Sequence, residues 1–211
     1  MSEHEGALLD YAVAARGLEG AVSGDKFLAK PNPRGMLVAV VDGLGHGPAA
    51  ASAAAAAVAV LEAQLDQPIL GLVELCHRTL SRDARGVAMT LAALDVLRHE
   101  LDWVAVGNVD GVLLRTGEDG LRKKAYVLPR GGIIGHRLPL LRASTLPLLP
   151  DDLLILATDG IRPGFERVVD LAASPRQIAD LILERGGRST DDALVLVGRW
   201  RASRNASRAR Q

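Results

Sequence analysis

Apolar positions along this chain fall into two patterns. In the first, β-forming apolar residues follow one another without a break. "MLVAVV" (36–41), "LLILA" (153–157) and "ALVLVGRW" (193–200) read as strands buried on both faces. In the second, β formers alternate with turn signals, as in "VAMTLAALDVL" (87–97), "ELDWVAVGNVDGVLLRT" (100–116) and "KKAYVLP" (123–129). Hairpin turns are expected at His99–Glu100, Asn108–Gly111 and Glu118–Gly120. Near the N-terminus Val13 to Gly20 and the stretch around Phe27 read as short strands, with a turn at 31–35. Three segments read as helices: Pro48 to about Gln64, opening on a proline suited to a first helical turn, then Ile69 to about Arg82, and Pro175 to Arg185. "RGGIIGHRLPLL" (130–141) is a glycine- and proline-broken loop. The order is strands, two helices, many strands, one helix and a final strand. That order predicts an α+β sandwich rather than alternating βαβ units.

The 211 residues suit one domain over 1–200, followed by a basic tail over 201–211 that lacks apolar periodicity and is expected to be disordered. Aromatics are 3% of the chain, too few for stacking platforms on single-stranded nucleic acid. Net charge is zero, so no whole-molecule field attracts nucleic acid or membrane. Cys76 is the one cysteine, which rules out an internal disulfide framework and a cysteine-based metal site. A buried small hydrophobe is the expected role. The N-terminus is acidic and has no signal-peptide pattern. No apolar tract reaches the ~20 residues of a membrane span. A cytoplasmic monomer is the expectation.

Acidic residues recur at strand ends. Asp25 lies in "SGDKF", Asp42 ends "VAVVDG", Asp159 ends "LLILATDG", and Asp191 and Asp192 open "TDDALVLV". Such ends meet at one edge of a sandwich. Carboxylates crowded there repel one another, and a hard divalent cation with all-oxygen ligands, Mg²⁺ or Mn²⁺, relieves that repulsion. The other reading is plain turn chemistry, since Asp-Gly commonly follows a strand. Periodicity alone does not separate the two.

The set "SGDKF", "VAVVDGLGHG", "GVAMTLAALD", "VAVGNVDGVLL", "RGGIIGHRLP", "LILATDGI" and "TDDALVLV" resembles the metal-dependent protein phosphatase 2C (PPM) family, in its short SpoIIE/RsbX-like bacterial branch. The resemblance runs nearly to Trp200. It implies two stacked antiparallel sheets flanked by helices, with a dimetal site at one end. It also implies a phosphoserine/phosphothreonine protein phosphatase that uses two divalent cations, Mn²⁺ or Mg²⁺, to activate water. Asp42 would bridge the metals, the Gly43 carbonyl would ligate one, Asp159 and Asp191 would hold the second, and Asp25 matches the early acidic ligand. Asp42 and Asp159 are then the residues on which catalysis rests. The "GGIIGHRLP" loop points to the stressosome feedback phosphatases, and hence to phosphorylated STAS-domain proteins as substrates.

Two positions depart from larger members of the family. Leu44 stands where they carry a histidine, and His46 is two residues further on. Arg16 is the nearest candidate for their phosphate-gripping N-terminal arginine, at a different spacing. The choice between Asp191 and Asp192 stays open by one position. His136 and Arg137 are candidates to flank the substrate groove. A binding module of the same fold that sequesters a partner without catalysis is the competing reading.

Overall fold

A strand covered on both faces has no polar side to show, and the unbroken apolar runs owe their composition to that burial. The computed structural model describes residues 8–18, 22–80, 85–117 and 120–201. In chain order the elements are β1 (Leu9–Arg16), β2 (Asp25–Asn32), β3 (Gly35–Gly43), α1 (Pro48–Ala63), α2 (Ile69–Leu80), β4 (Val87–Asp95), β5 (Glu100–Val106), β6 (Asp110–Thr116), β7 (Arg122–Tyr126), β8 (Ser144–Pro147), β9 (Leu153–Ala157), a 3-10 turn (Phe165–Val168), α3 (Pro175–Gly186) and β10 (Ala193–Trp200). They form two five-stranded antiparallel sheets, ordered β1-β10-β9-β6-β7 and β2-β3-β4-β5-β8. This is the predicted two-sheet α+β sandwich.

Side chains in a strand alternate faces, and here both faces are apolar. Val38 and Val40 of β3 join Leu154 and Leu156 of β9, Leu194 and Leu196 of β10, and Trp103 in the core between the sheets. Leu37, Ala39 and Val41 point the other way, under Ala54, Ala57 and Leu61 of α1 and Leu72 and Cys76 of α2. On the opposite outer face Ile155, Val195 and Val197 pack against Ile178 and Ile182 of α3. The buried alanines of α1, at 50, 53, 54 and 57, repeat at helical spacing and bring that helix close to β2 and β3. Ser174 caps α3, accepting from the Gln177 N–H in a capping box, with Pro175 in the first turn. Cys76 is buried as expected, with its thiol pushed up to about 12 by burial.

Several boundaries differ from the sequence reading. β1 starts at Leu9 rather than Val13, because its pairing with β10 runs from Leu9–Trp200 to Arg16–Ala193. The β2–β3 turn is tighter than 31–35: Asn32 Oδ1 accepts the N–H groups of Arg34 and Gly35 at 2.9 and 2.7 Å. β8 and the 3-10 turn were not expected, since neither "STLP" nor "FERV" carries a periodic apolar signal. The expected last turn of α2 at 81–82, part of the turn at 118–120, and residues 202–211 lie outside the described residues. Arg201, assigned to the tail, is tied down: its guanidinium pairs with Asp151 at 2.8 Å and Asp10 at 3.1 Å.

Candidate metal centre

At one edge of the sandwich the two sheets deliver their acidic ends together. Asp25 opens β2 and Asp42 is the last residue but one of β3, and the two are direct cross-strand partners. From the other sheet, Asp159 lies two residues beyond β9, and Asp191 and Asp192 immediately precede β10. Gly43 and Gly160, the glycines after the two strand-ending aspartates, do not have the positive φ of turn glycines. They are sites of close approach instead. A Cβ on Gly43 would sit 2.1 Å from the Ala50 carbonyl oxygen of α1, and one on Gly160 would sit 1.8 Å from the Asp192 carbonyl oxygen. Asp42–Gly43 therefore reflects tight packing at this edge, while Asp159–Gly160 combines tight packing with a turn closed by the Ile161 N–H donating to the Thr158 carbonyl at 3.0 Å.

Three side-chain links cross between the sheets here. Thr158 Oγ1 donates to Asp25 Oδ2 at 2.8 Å and accepts from the Leu194 N–H at 2.9 Å. Asn108 Nδ2 donates to Asp159 Oδ2 at 2.5 Å, and the same side chain draws the Asp42 carboxyl downward against the rise from burial. Asp192 accepts the N–H groups of Leu18 and Gly24, one on each oxygen, both at 2.8 Å. Both Asp192 oxygens are thus committed to backbone, and the residue is 4% exposed. Asp191 is half-exposed. Its carboxyl is raised by burial first and by Asp159 next, and it raises both Asp25 and Asp42.

The electrostatics are those of crowded negative charge, eased at Asp191 by the Arg188 guanidinium. Burial pushes the Asp25 carboxyl up to about 7, with Asp192, Asp159 and Asp191 adding to the rise. Asp42 is pushed up to about 8 by burial, then by Asp25, Asp159 and Asp191. Among the described residues, no three carboxylate, imidazole or thiol side chains close around a single point. The carboxylates stand in pairs, Asp25 facing Asp42 on one ladder and Asp159 close enough to raise both. Hard, anionic, all-oxygen donors from two sheets, holding protons well above the ordinary carboxylate range, fit divalent cations of the Mg²⁺ or Mn²⁺ kind.

The other candidates fall as follows. His46 is exposed on the glycine-rich turn. Arg16 donates to the Arg188 carbonyl at 2.6 Å, bracing the loop before Asp191. The sequence reading missed Arg85, whose guanidinium donates to the Leu44 carbonyl at 2.8 Å beside the centre. It also missed Asn108 and Thr158, which no motif spacing singles out. The 130–141 loop is docked to the start of β4 and end of β5 through Val87–Ile134 and Val106–Arg130 bridges. His77 Nδ1 accepts the Gly135 N–H at 3.0 Å and braces that loop. His136 and Arg137 are exposed on it, with the His136 ring over Gly86.

A family model of Stage II sporulation protein E (SpoIIE) matches residues 32–201. The chain is similar to the phosphoserine phosphatase RsbX of Bacillus subtilis (strain 168), with 22% identity over 179 residues, 84% of this chain and 87% of that protein. A solved structure described as "the bacterial stressosome: a modular system that has been adapted to control secondary messenger signaling" is 30% identical. It superposes with a TM-score of 0.80 over 90% of this chain and 99% of its own. RsbX in complex with magnesium has the same fold, with a TM-score of 0.79 at 22% identity over 90% of this chain and 94% of its own.

Proposed function

The chain belongs to the SpoIIE family, and from that premise we propose that it is a metal-dependent phosphoserine/phosphothreonine protein phosphatase acting on phosphorylated STAS-domain proteins of a stressosome-type module. One observation carries this reading: Asp25 and Asp42 face each other on one sheet while Asp159 and Asp191 approach them from the other. In it Asp25, Asp42, the Gly43 carbonyl, Asp159 and Asp191 would hold two divalent cations, Mn²⁺ or Mg²⁺. When bound, such ions supply the charge that neutralises a phosphoryl group and activates water for in-line attack.

The chain's own residues do the rest. The β2–β3 ladder holds Asp25 and Asp42 in register. Thr158 and Asn108 fix the carboxylate orientations, and Asp192 ties Leu18 and Gly24 to the start of β10. Asp159 is exposed and Asp42 half-buried, so the centre opens on the surface rather than in a closed cavity. That suits a phosphorylated side chain on a folded partner, with His136 and Arg137 beside the approach. The retained carboxylates favour this over the non-catalytic partner-binding module. The proposed enzyme works as a monomer, with its domain ending near residue 201.

The test has two arms. Mn²⁺-dependent hydrolysis of a small aryl phosphate, abolished by a chelator, is the expected result for the chemistry. A purified phospho-STAS protein should then be dephosphorylated more efficiently than a short phosphopeptide from the same site. If free nucleotides or sugar phosphates are turned over far better than the folded phosphoprotein, the substrate assignment is wrong.

A further inference from the structure

One polar side chain at the centre is not explained by the fold. Asn108 sits in the turn between β5 and β6, a place where asparagine is usually a backbone choice. Here the backbone makes no such demand, for Asn108 is not among the described residues with positive φ. Its neighbours fix the turn without it. A Cβ on Gly107 would come within 2.4 Å of the Ala88 Cβ, so the turn lies hard against β4. The Val109 carbonyl is held by the Thr90 hydroxyl at 2.6 Å. The Asn108 side chain is exposed, and an amide there is free to point into water. Instead it turns to the acidic edge, donating to Asp159 Oδ2 at 2.5 Å and lowering the Asp42 carboxyl.

An ionised carboxylate only accepts, so the contact to Asp159 falls to the amide NH₂. We infer that Asn108 is a positioning residue whose amide holds the Asp159 carboxylate in place beside Asp42 and sets how tightly the centre takes a divalent ion. This rests on the metal-dependent reading above. The contact occupies one oxygen of Asp159 and orients the other, and the amide dipole offsets part of the repulsion between Asp159 and Asp42 before an ion arrives. Replacing a residue that orients a metal ligand in this way typically costs roughly 10–100-fold in metal affinity or activity.

The experiment compares the full chain with Asn108→Ala and Asn108→Asp, using Mn²⁺ as the probe. By calorimetric titration, the alanine variant should bind Mn²⁺ roughly tenfold more weakly. Its phosphatase activity should return at saturating Mn²⁺. The aspartate variant keeps the shape but loses the donor and adds a like charge. Its metal-free thermal midpoint should fall below wild type and recover when Mn²⁺ is added. If the alanine variant binds Mn²⁺ as tightly as wild type, or the aspartate variant melts where wild type does, the inference is overturned. A wild-type protein that takes up no Mn²⁺ sinks the metal reading itself. Normal wild-type binding with unchanged variants sinks only the role of Asn108.

Discussion

Asp25 and Asp42 are opposite one another on the β2–β3 ladder, and burial pushes their carboxyls up to about 7 and about 8. Two like charges on facing residues are unfavourable in a half-buried setting. The folded protein therefore binds these protons more tightly than the unfolded chain, whose aspartates ionise near ~4. Stability of the metal-free protein is then fully present at the acid end of that window and declines as pH rises through 7 to 8. In chelator, the thermal midpoint should drop between pH 5.5 and 8.5. With excess Mn²⁺ the drop should shrink or vanish, because the cation replaces the protons. A midpoint that climbs with pH in chelator contradicts the assignment.

Asp42→Asn and Asp159→Asn should each reduce turnover by orders of magnitude, since a neutral amide is a poor ligand for a hard dication. The same Asp42→Asn change should raise the metal-free midpoint at pH 8, as it removes a charge that the site disfavours. Activity and melting curves on the same purified samples check both. Loss of activity through unfolding would show as a lowered midpoint instead.

How much of this was legible in the sequence varies with the physics involved. β3, β9 and β10 were readable because strands covered on both faces must be apolar throughout. α1 was readable from Pro48 and the alanine spacing. β8 was not, because a short strand at the sheet edge has exposed positions and carries little pattern. The strand-end aspartates stood out as a set. Asn108 and Thr158 did not, because their roles depend on contacts 51 and 133 residues away in the chain.

Gly43 was expected to matter for carbonyl access. The geometry adds a steric demand that makes a separate prediction. Gly43→Ala forces a Cβ against the Ala50 backbone oxygen, an atom that no rotamer change can move away. It should cost about 1–3 kcal/mol or more in denaturant unfolding and disturb the centre. Gly47→Ala is the control. Gly47 has φ of 80° but open space where a Cβ would go, so only the backbone penalty of about 1–2 kcal/mol applies. Equal, small losses in both variants would contradict the packing account.

The chain beyond Arg201 should be dispensable for aryl phosphate hydrolysis, while Arg201 itself is not neutral. Its guanidinium joins Asp151 to Asp10 at the β1–β10 end, and its N–H donates to the Leu8 carbonyl. Deleting 202–211 should leave the thermal midpoint and turnover within error of wild type. Deleting 201 as well should lower the midpoint slightly, since exposed ion pairs of this kind contribute about 1 kcal/mol or less. Loss of small-substrate hydrolysis in the shorter deletion would assign the basic tail a role in the site.

Asp191 and Asp192 are adjacent in sequence, and only burial tells them apart. Asp192 is enclosed, and each of its oxygens takes a backbone N–H, from Leu18 and from Gly24. Replacing it by asparagine turns one acceptor into a donor facing a buried N–H. That change should cost about 1–3 kcal/mol in unfolding. Activity should fall with the fold and recover under stabilising conditions such as low temperature. Asp191 is half-exposed and coupled to Asp159, and its own oxygen accepts the Asp192 N–H at 2.9 Å. Asp191→Asn should leave the midpoint nearly unchanged in chelator but remove much of the rise on adding Mn²⁺, with turnover lost at every temperature. The two variants thus separate along different axes, one in metal-free stability and the other in metal response. If Asp191→Asn keeps a full Mn²⁺ response while Asp192→Asn loses it without destabilisation, the ligand is Asp192 and the assignment is out by one residue.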